Sequence, residues 1–345
     1  MDTVEPKVAD IPGMRSRLLR CCLDSLPHFY LPEAGILAES RSWDGERYRA
    51  TEPSVRNTAN VLLALYRLRA RGIESALDAD GILARCVADH LPACEFPEIA
   101  LLLWADALAS RAHAARLWAE LTRRLPERAS DTMLLSWTLC GVCEHSRAGG
   151  DRQSTAALAR SLRDRILQNR FPATGLFFAS AARRGLLRKL KPTASLSAQV
   201  FAILALAQYI ETFGDGDAAG AARQCADRLC ELQGPRGQWW WTYDVREGSV
   251  AEEYPIYSVN QDGAMPAALL MIGRAGRDGA YEQAAHRGLP WVFGANELQV
   301  SMLDERHAVI LRGIRREGEG FEIMREMRSY HAGRCLYWLA LSEAT

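Results

Sequence analysis

Between residues 237 and 270 the chain reads GQWWWTYDVREGSVAEEYPIYSVNQDGAMPAALL, where aromatic rings and carboxylates crowd into one short span. Trp239, Trp240 and Trp241 fall outside any helical run, and aromatic side chains in loops mark binding surfaces. An indole face stacks on a sugar ring, and its quadrupole equally stabilises a carbocation. The alternative is that the indoles seal an interior. Among the acids, Asp244 follows the tryptophans directly and Asp262 opens the next helical stretch. Glu252 and Glu253 are adjacent, and an extended backbone sends only one of two neighbours inward; Glu253 is taken as that one. Two carboxyl groups about 5–5.5 Å or 6.5–9.5 Å apart are what hydrolysis of a glycosidic bond requires. Asp262, Asp244 and Glu253 are therefore the catalytic candidates. Asp262 has a second reading as a plain helix N-cap, and as an acid its burial beside indoles would raise its pKa.

Further polar residues supply binding candidates. Tyr254 and Tyr257 offer hydroxyls for an oxygen-rich substrate. Arg56 enters the first long apolar helix and suits an anion at a helix mouth, or else a surface ion pair. His331 sits between Tyr330 and Arg334, either as a substrate contact or as a satisfied buried polar group. Asn296 and Glu297 form a second polar cluster or a helix-ending turn. The basic run at residues 182–192 reads as a solvated loop, with contact to a lipid-linked phosphate or a membrane face as the alternative.

The elements that must position these residues are mostly helices. Apolar residues recur at helical spacing nearly throughout. Helices are predicted over 14–26, 54–72, 78–91, 96–109, 111–124, 130–146, 153–168, 194–213, 217–232, 261–275, 279–291 and 326–343. Ser54 and Asp131 supply N-caps. Segments 165–178 and 228–241 share a layout of helix end, Gln, a Pro-bearing stretch, then Gly and aromatics, as a degenerate repeat of helical hairpins would. Residues 298–316 alternate apolar and polar around Asp304 and Glu305, which predicts a β-hairpin packed on the helical body. No Gly/Ser-rich linker divides the chain, so residues 1–345 are read as one domain.

The Gln-Gly-Pro-Arg-Gly-Gln-Trp run at 233–239 resembles the repeat of terpenoid cyclases and protein prenyltransferases, and is similar to loops of six-hairpin glycosidase-like enzymes. GLPWVFGANEL at 288–298 resembles a segment of helical-barrel proteins found beside glycosyltransferases in polysaccharide synthesis. These resemblances imply an all-α fold, an α/α toroid of about six hairpins with its site at one mouth. The Asp-x-Asp-Asp run of class II cyclases is missing, Asp78-Ala-Asp80 being the nearest. Asp262 and the run from His331 to Cys335 resemble a prenyltransferase zinc layout, but Gly263 and Ala264 stand where its Cys is required. Zinc and other cofactors are therefore not expected, and Cys140 and Cys143 are read as core.

With 42 basic and 42 acidic side chains the chain has no net field to attract nucleic acid. The odd count of nine cysteines argues against a disulfide framework. No run approaches the ~20 apolar residues of a membrane span, and the first residues lack a secretory h-region, so a cytoplasmic protein is expected. The function expected is that of a carbohydrate-active or polysaccharide-biosynthesis-associated enzyme acting on a glycan by carboxylate acid/base chemistry, as a glycoside hydrolase does. Alternatives are a terpenoid-type cyclase or prenyltransferase with Asp262 as acid, or a toroid that binds a partner without catalysis.

Overall fold

In the computed structural model, residues 10–180, 192–276 and 279–342 are described. The basic run at 182–192 lies outside them apart from Pro192. The helices, in chain order, are α1 (Ile11–Ser25), α2 (Val55–Arg69), α3 (Ala79–Arg85), α4 (Phe96–Leu108), α5 (Ala114–Arg124), α6 (Thr132–Arg147) and α7 (Arg152–Gln168). They continue with α8 (Leu196–Phe213), α9 (Gly216–Glu231), α10 (Ser258–Asp262), α11 (Ala264–Gly276), α12 (Ala280–Val292) and α13 (Ser329–Ser342).

Two kinds of helix alternate, and their sequences say which is which. In α5 the buried residues are Ala114, Leu117 and Leu121, and in α7 Thr155, Ala159, Leu162 and Ile166. Such a single stripe at helical spacing belongs to a helix with one face on the core. In α8 nearly every position from Leu196 to Tyr209 is buried. A helix apolar all round must be enclosed. The inner helices α2, α4, α6, α8, α11 and α13 touch in that order, and α13 packs back on α2 to close the ring. Outside them, α3, α5, α7, α9 and α12 each lie on the inner helix that precedes them, and α1 lies on α13. This is the α/α toroid. Helix α8 is long and apolar enough to cross a membrane by length and composition, yet it is mostly buried as a stave of the ring.

Small residues bring the staves together. A Cβ at Gly333 of α13 would stand 2.8 Å from the Asn60 carbonyl carbon of α2, so the ring closes at this contact only with glycine. Because successive inner helices run the same way, their N-termini gather at one mouth. Ser54 caps α2, accepting from the Asn57 N–H at 3.3 Å, and Asp131 caps α6, accepting from the Leu134 N–H at 3.0 Å.

The predicted hairpin at 298–316 is present as Leu303–Asp304 paired with Val309–Ile310. Short sheets elsewhere were not foreseen. Gly313–Glu317 pairs with Gly320–Met324 and with Ile256–Tyr257, and Thr193–Ser195 pairs with Thr242–Asp244. Ser40–Trp43 lies between Glu326–Arg328 and Tyr48–Ala50. These strands are two to five residues long, too short for a period-2 pattern to register in the sequence.

Candidate functional site

Helix α10 ends at Asp262, and the break that follows decides where its carboxylate goes. Gly263 leaves the helical region with φ −150° and ψ −77°, and a Cβ there would meet the Cys335 nitrogen at 2.9 Å. The close approach brings Asp262 against the first turn of α13. His331 Nε2 contacts Asp262 Oδ1 at 2.8 Å and Oδ2 at 3.0 Å. The start of α13 is held by Ser329 Oγ, which donates to the Ala38 carbonyl at 2.6 Å. Asp262 is fully buried and His331 is 3% exposed. A neutral imidazole donating from Nε2 keeps its lone pair on Nδ1.

The His331 ring lines a pocket of about 210 Å³ with Trp241, Tyr257, Arg312, Arg328 and Tyr330. Trp241 and Tyr257 meet edge to face at 4.8 Å, and the Arg312 guanidinium lies 5.4 Å from the Tyr257 ring centroid. Arg312 is paired with Glu326 at 2.6 Å. Desolvation pushes the Tyr330 phenol up to about 12, so it is neutral and able to donate a hydrogen bond near neutral pH.

Arg328 and Tyr330 also line a larger cleft of about 630 Å³, so the two spaces adjoin at these side chains. The cleft lies at the gathered N-termini of the inner helices. Arg56, Asn60, Glu98, Trp137 and Phe201 line it. Arg56 donates to Glu98 Oε1 from Nη2 at 2.7 Å and stands over the Trp137 ring at 5.6 Å. Arg328 pairs with Glu39 at 3.3 Å, and Glu39 and Glu95 also face the cleft. The lining mixes charged and amide side chains with aromatic plates and other apolar groups.

The residues picked out from sequence do not all come together. Asp262, His331, Trp241, Tyr257 and Arg56 gather at the mouth. Trp239 is fully buried, its backbone N–H donating to Gln261 Oε1 at 2.9 Å. Trp240 is 8% exposed and donates from Nε1 to the Leu232 carbonyl at 3.0 Å. These two indoles wedge the loop into the body, and only the third faces the pocket. Tyr254 packs on Phe321 at 4.7 Å and on Trp240. It lines a separate depression with Glu253 and Arg316. Asp244 Oδ1 accepts from the Arg246 and Glu247 N–H groups at 2.9 and 3.0 Å, which is the geometry of a turn. Asp262 does not cap α11 as an N-cap would; it is the last residue of a separate short helix, and its oxygens go to His331. Asn296 ends α12's turn, its Nδ2 donating to the Trp291 and Val300 carbonyls.

Sequence reasoning passed over Glu98, Asn60, Trp137, Arg312 and Arg328. A signal existed for the helical ones. The α2 run VRNTANVLLALYRL places Arg56, Asn57, Thr58 and Asn60 in its first turns, where a mouth would be. Glu98 reads as a capping-box partner of Glu95, and its Oε2 does accept from the Glu95 N–H at 2.9 Å. Arg328 reaches the mouth from a short strand, and Arg312 from the connection just before another, and neither carries a pattern.

Among the described residues no group of three or more His, Cys, Asp or Glu side chains is arranged to hold a metal ion. Cys140 and Cys143 are buried in α6, and burial pushes both thiols up, which leaves them unreactive.

The architecture is that of the six-hairpin glycosidase-like α/α toroid proteins. No family model and no curated protein matches the sequence. Solved structures do. A D-mannose isomerase superposes with a TM-score of 0.68 at 11% identity, over 99% of this chain and 100% of that one. An unsaturated glucuronyl hydrolase specific for heparin gives 0.67 at 12% identity, over 97% of each. A sugar epimerase from a ruminal bacterium gives 0.65 at 12% identity, over 98% of this chain and 100% of that one.

Proposed function

We propose that the protein is a carbohydrate-active enzyme in which His331 moves a proton on a sugar bound at the mouth of the toroid. The observation that carries this reading is the buried Asp262–His331 pair, whose ring lines a pocket walled by aromatic and guanidinium groups. With its Nε2–H held by Asp262, His331 presents Nδ1 as the base. Abstraction by Nδ1 of the proton from a carbon beside a sugar carbonyl leaves an enediolate. The imidazolium exchanges that proton with water and delivers one to the former carbonyl carbon, while the hydroxyl proton of the neighbouring carbon passes to the former carbonyl oxygen, which completes an aldose–ketose isomerisation. Arg312 and Arg328 supply positive charge where the oxyanion would develop. Asp262 is a positioning residue that fixes the tautomer. The fold is shared with an isomerase and an epimerase of sugars.

Hydrolysis of a glycan is the second reading, favoured by one feature. Glu39, Glu95 and Glu98 bring carboxylates to the cleft, although Glu39 and Glu98 are each paired with arginine. A general acid must be protonated, and a neighbouring guanidinium holds a carboxyl ionised. The experiment that separates the readings is incubation of the protein with a panel of aldoses, ketoses and oligosaccharides in heavy water, followed by proton NMR. Isomerisation replaces a C–H beside the carbonyl with C–D. Release of a reducing sugar without such exchange would replace the first reading with the second, and neither change on any panel member would leave a binding toroid.

A further inference from the structure

Among the described residues, no carboxylate answers a positive charge held in the interior of the ring beneath the cleft. Arg334 stands one helical turn beyond Tyr330 on α13 and is 2% exposed. Its Nε and Nη2 find no hydrogen-bond partner. Its guanidinium carbon lies 4.6 Å from the ring centroid of Phe201, a residue that lines the cleft. Stacking covers one face of the guanidinium and leaves its in-plane N–H donors for another ligand. The groups that act on it most strongly besides burial are Cys140, Tyr337 and Tyr330, none of them a carboxylate. Glu144, buried lower in the ring, is already shared by Arg67 and Arg147.

Other unanswered polar atoms accompany it. Trp137 Nε1 and Asn60 Oδ1 are buried without partners, and both residues line the cleft. The Asn60 amide is oriented, since its Nδ2 donates to the Arg56 carbonyl at 2.8 Å. A buried charge without a partner costs several kcal/mol, and orphaned buried donors in a native fold call for a cause. The N-termini of the inner helices that surround the cleft add positive potential of the same sign.

We infer that the substrate carries a compact oxyanion, a carboxylate or a phosphate on the sugar, and that Arg334, just behind the lining residues Phe201 and Tyr330, and Trp137 Nε1–H receive it while Asn60 Oδ1 accepts a sugar hydroxyl. The inference rests on the sugar reading above and narrows it to acidic sugars. The test is calorimetric titration of the whole protein with glucose, glucuronate and glucose 6-phosphate, which share a ring and differ in the anion. One of the two anionic sugars should bind at least about tenfold tighter than glucose, the worth of one or two charge-assisted hydrogen bonds. The preferred arm tells carboxylate from phosphate. Arg334→Met should erase the preference and leave glucose binding in place. Should that variant fail to fold, Trp137→Phe keeps an aromatic ring and removes the N–H, and it should weaken the anionic sugar several-fold more than it weakens glucose. Equal binding of all three sugars by the native protein would overturn the inference and leave the sugar reading standing, as would a preference that survives both substitutions. Binding of none would overturn both.

Discussion

Asp262 and His331 are 69 residues apart in the chain and share a bidentate contact of 2.8 and 3.0 Å inside the ring. The carboxylate has no exposure of its own, so whatever it contributes at the mouth passes through the imidazole. His331→Ala should lower kcat by about 10²–10⁴-fold, the usual worth of a positioned acid/base. Asp262→Asn should lower kcat with little change in KM, because it alters the ring's tautomer and orientation and not the sugar's contacts. Denaturant melts should show a loss of stability of up to about 3–5 kcal/mol for Asp262→Asn, as for a broken buried pair. Full turnover in the His331 variant would end this assignment.

Arg56 should act on binding. Its pair with Glu98 is half-open to solvent, and exposed ion pairs contribute about 0–1 kcal/mol to folding. Arg56→Ala should therefore leave the unfolding midpoint nearly unchanged while raising KM several-fold. Steady-state kinetics beside a thermal melt checks both halves. An unchanged KM would remove Arg56 from the site.

The three indoles should separate cleanly. Trp240→Ala removes a buried ring and its hydrogen bond to Leu232, at a cost of about 3–5 kcal/mol. Trp241→Ala should cost less stability and weaken sugar binding, since its ring lines the pocket beside Tyr257. Titration of folded Trp241→Ala with the best substrate decides the matter; native affinity would refute it. Glu253→Gln, in its separate exposed depression, should leave both stability and turnover close to native.

Acid should destabilise the fold through buried histidines. His145 stacks on Trp118 at 5.1 Å, and burial with nearby Arg111 lowers its pKa below the usual 6.5. The unfolded chain therefore takes up a proton before the folded one does as pH falls. Stability is highest above pH 6.5 and declines below it, and the half-buried His286, lowered mainly by burial, acts with the same sign. His145→Gln should reduce the difference between denaturation midpoints at about pH 7.5 and about pH 5.5. An undiminished difference would assign the acid sensitivity elsewhere.

Local pattern carries the ring. The stripe of Leu117 and Leu121, the all-apolar face of α8 and the caps at Ser54 and Asp131 are properties of neighbouring residues, so spacing alone separates outer from inner helices. Trp241, Tyr257, Asp262 and His331 are likewise legible as polar or aromatic residues at element ends. Partnership is not legible. Whether Asp262 caps its own helix or bonds His331 depends on a Cβ-free contact at Gly263 with α13, which is set by ring closure. Which indole faces the mouth depends on Gln261 and Leu232 claiming the loop around the other two. Arg328 comes from a strand too short to leave a period and Arg312 from the connection beside another, and Arg334 is an ordinary helical arginine until the ring encloses it without a carboxylate among the described residues. Side-chain spacing is a property of the chain, whereas burial, desolvation and charge balance are properties of what the chain folds against.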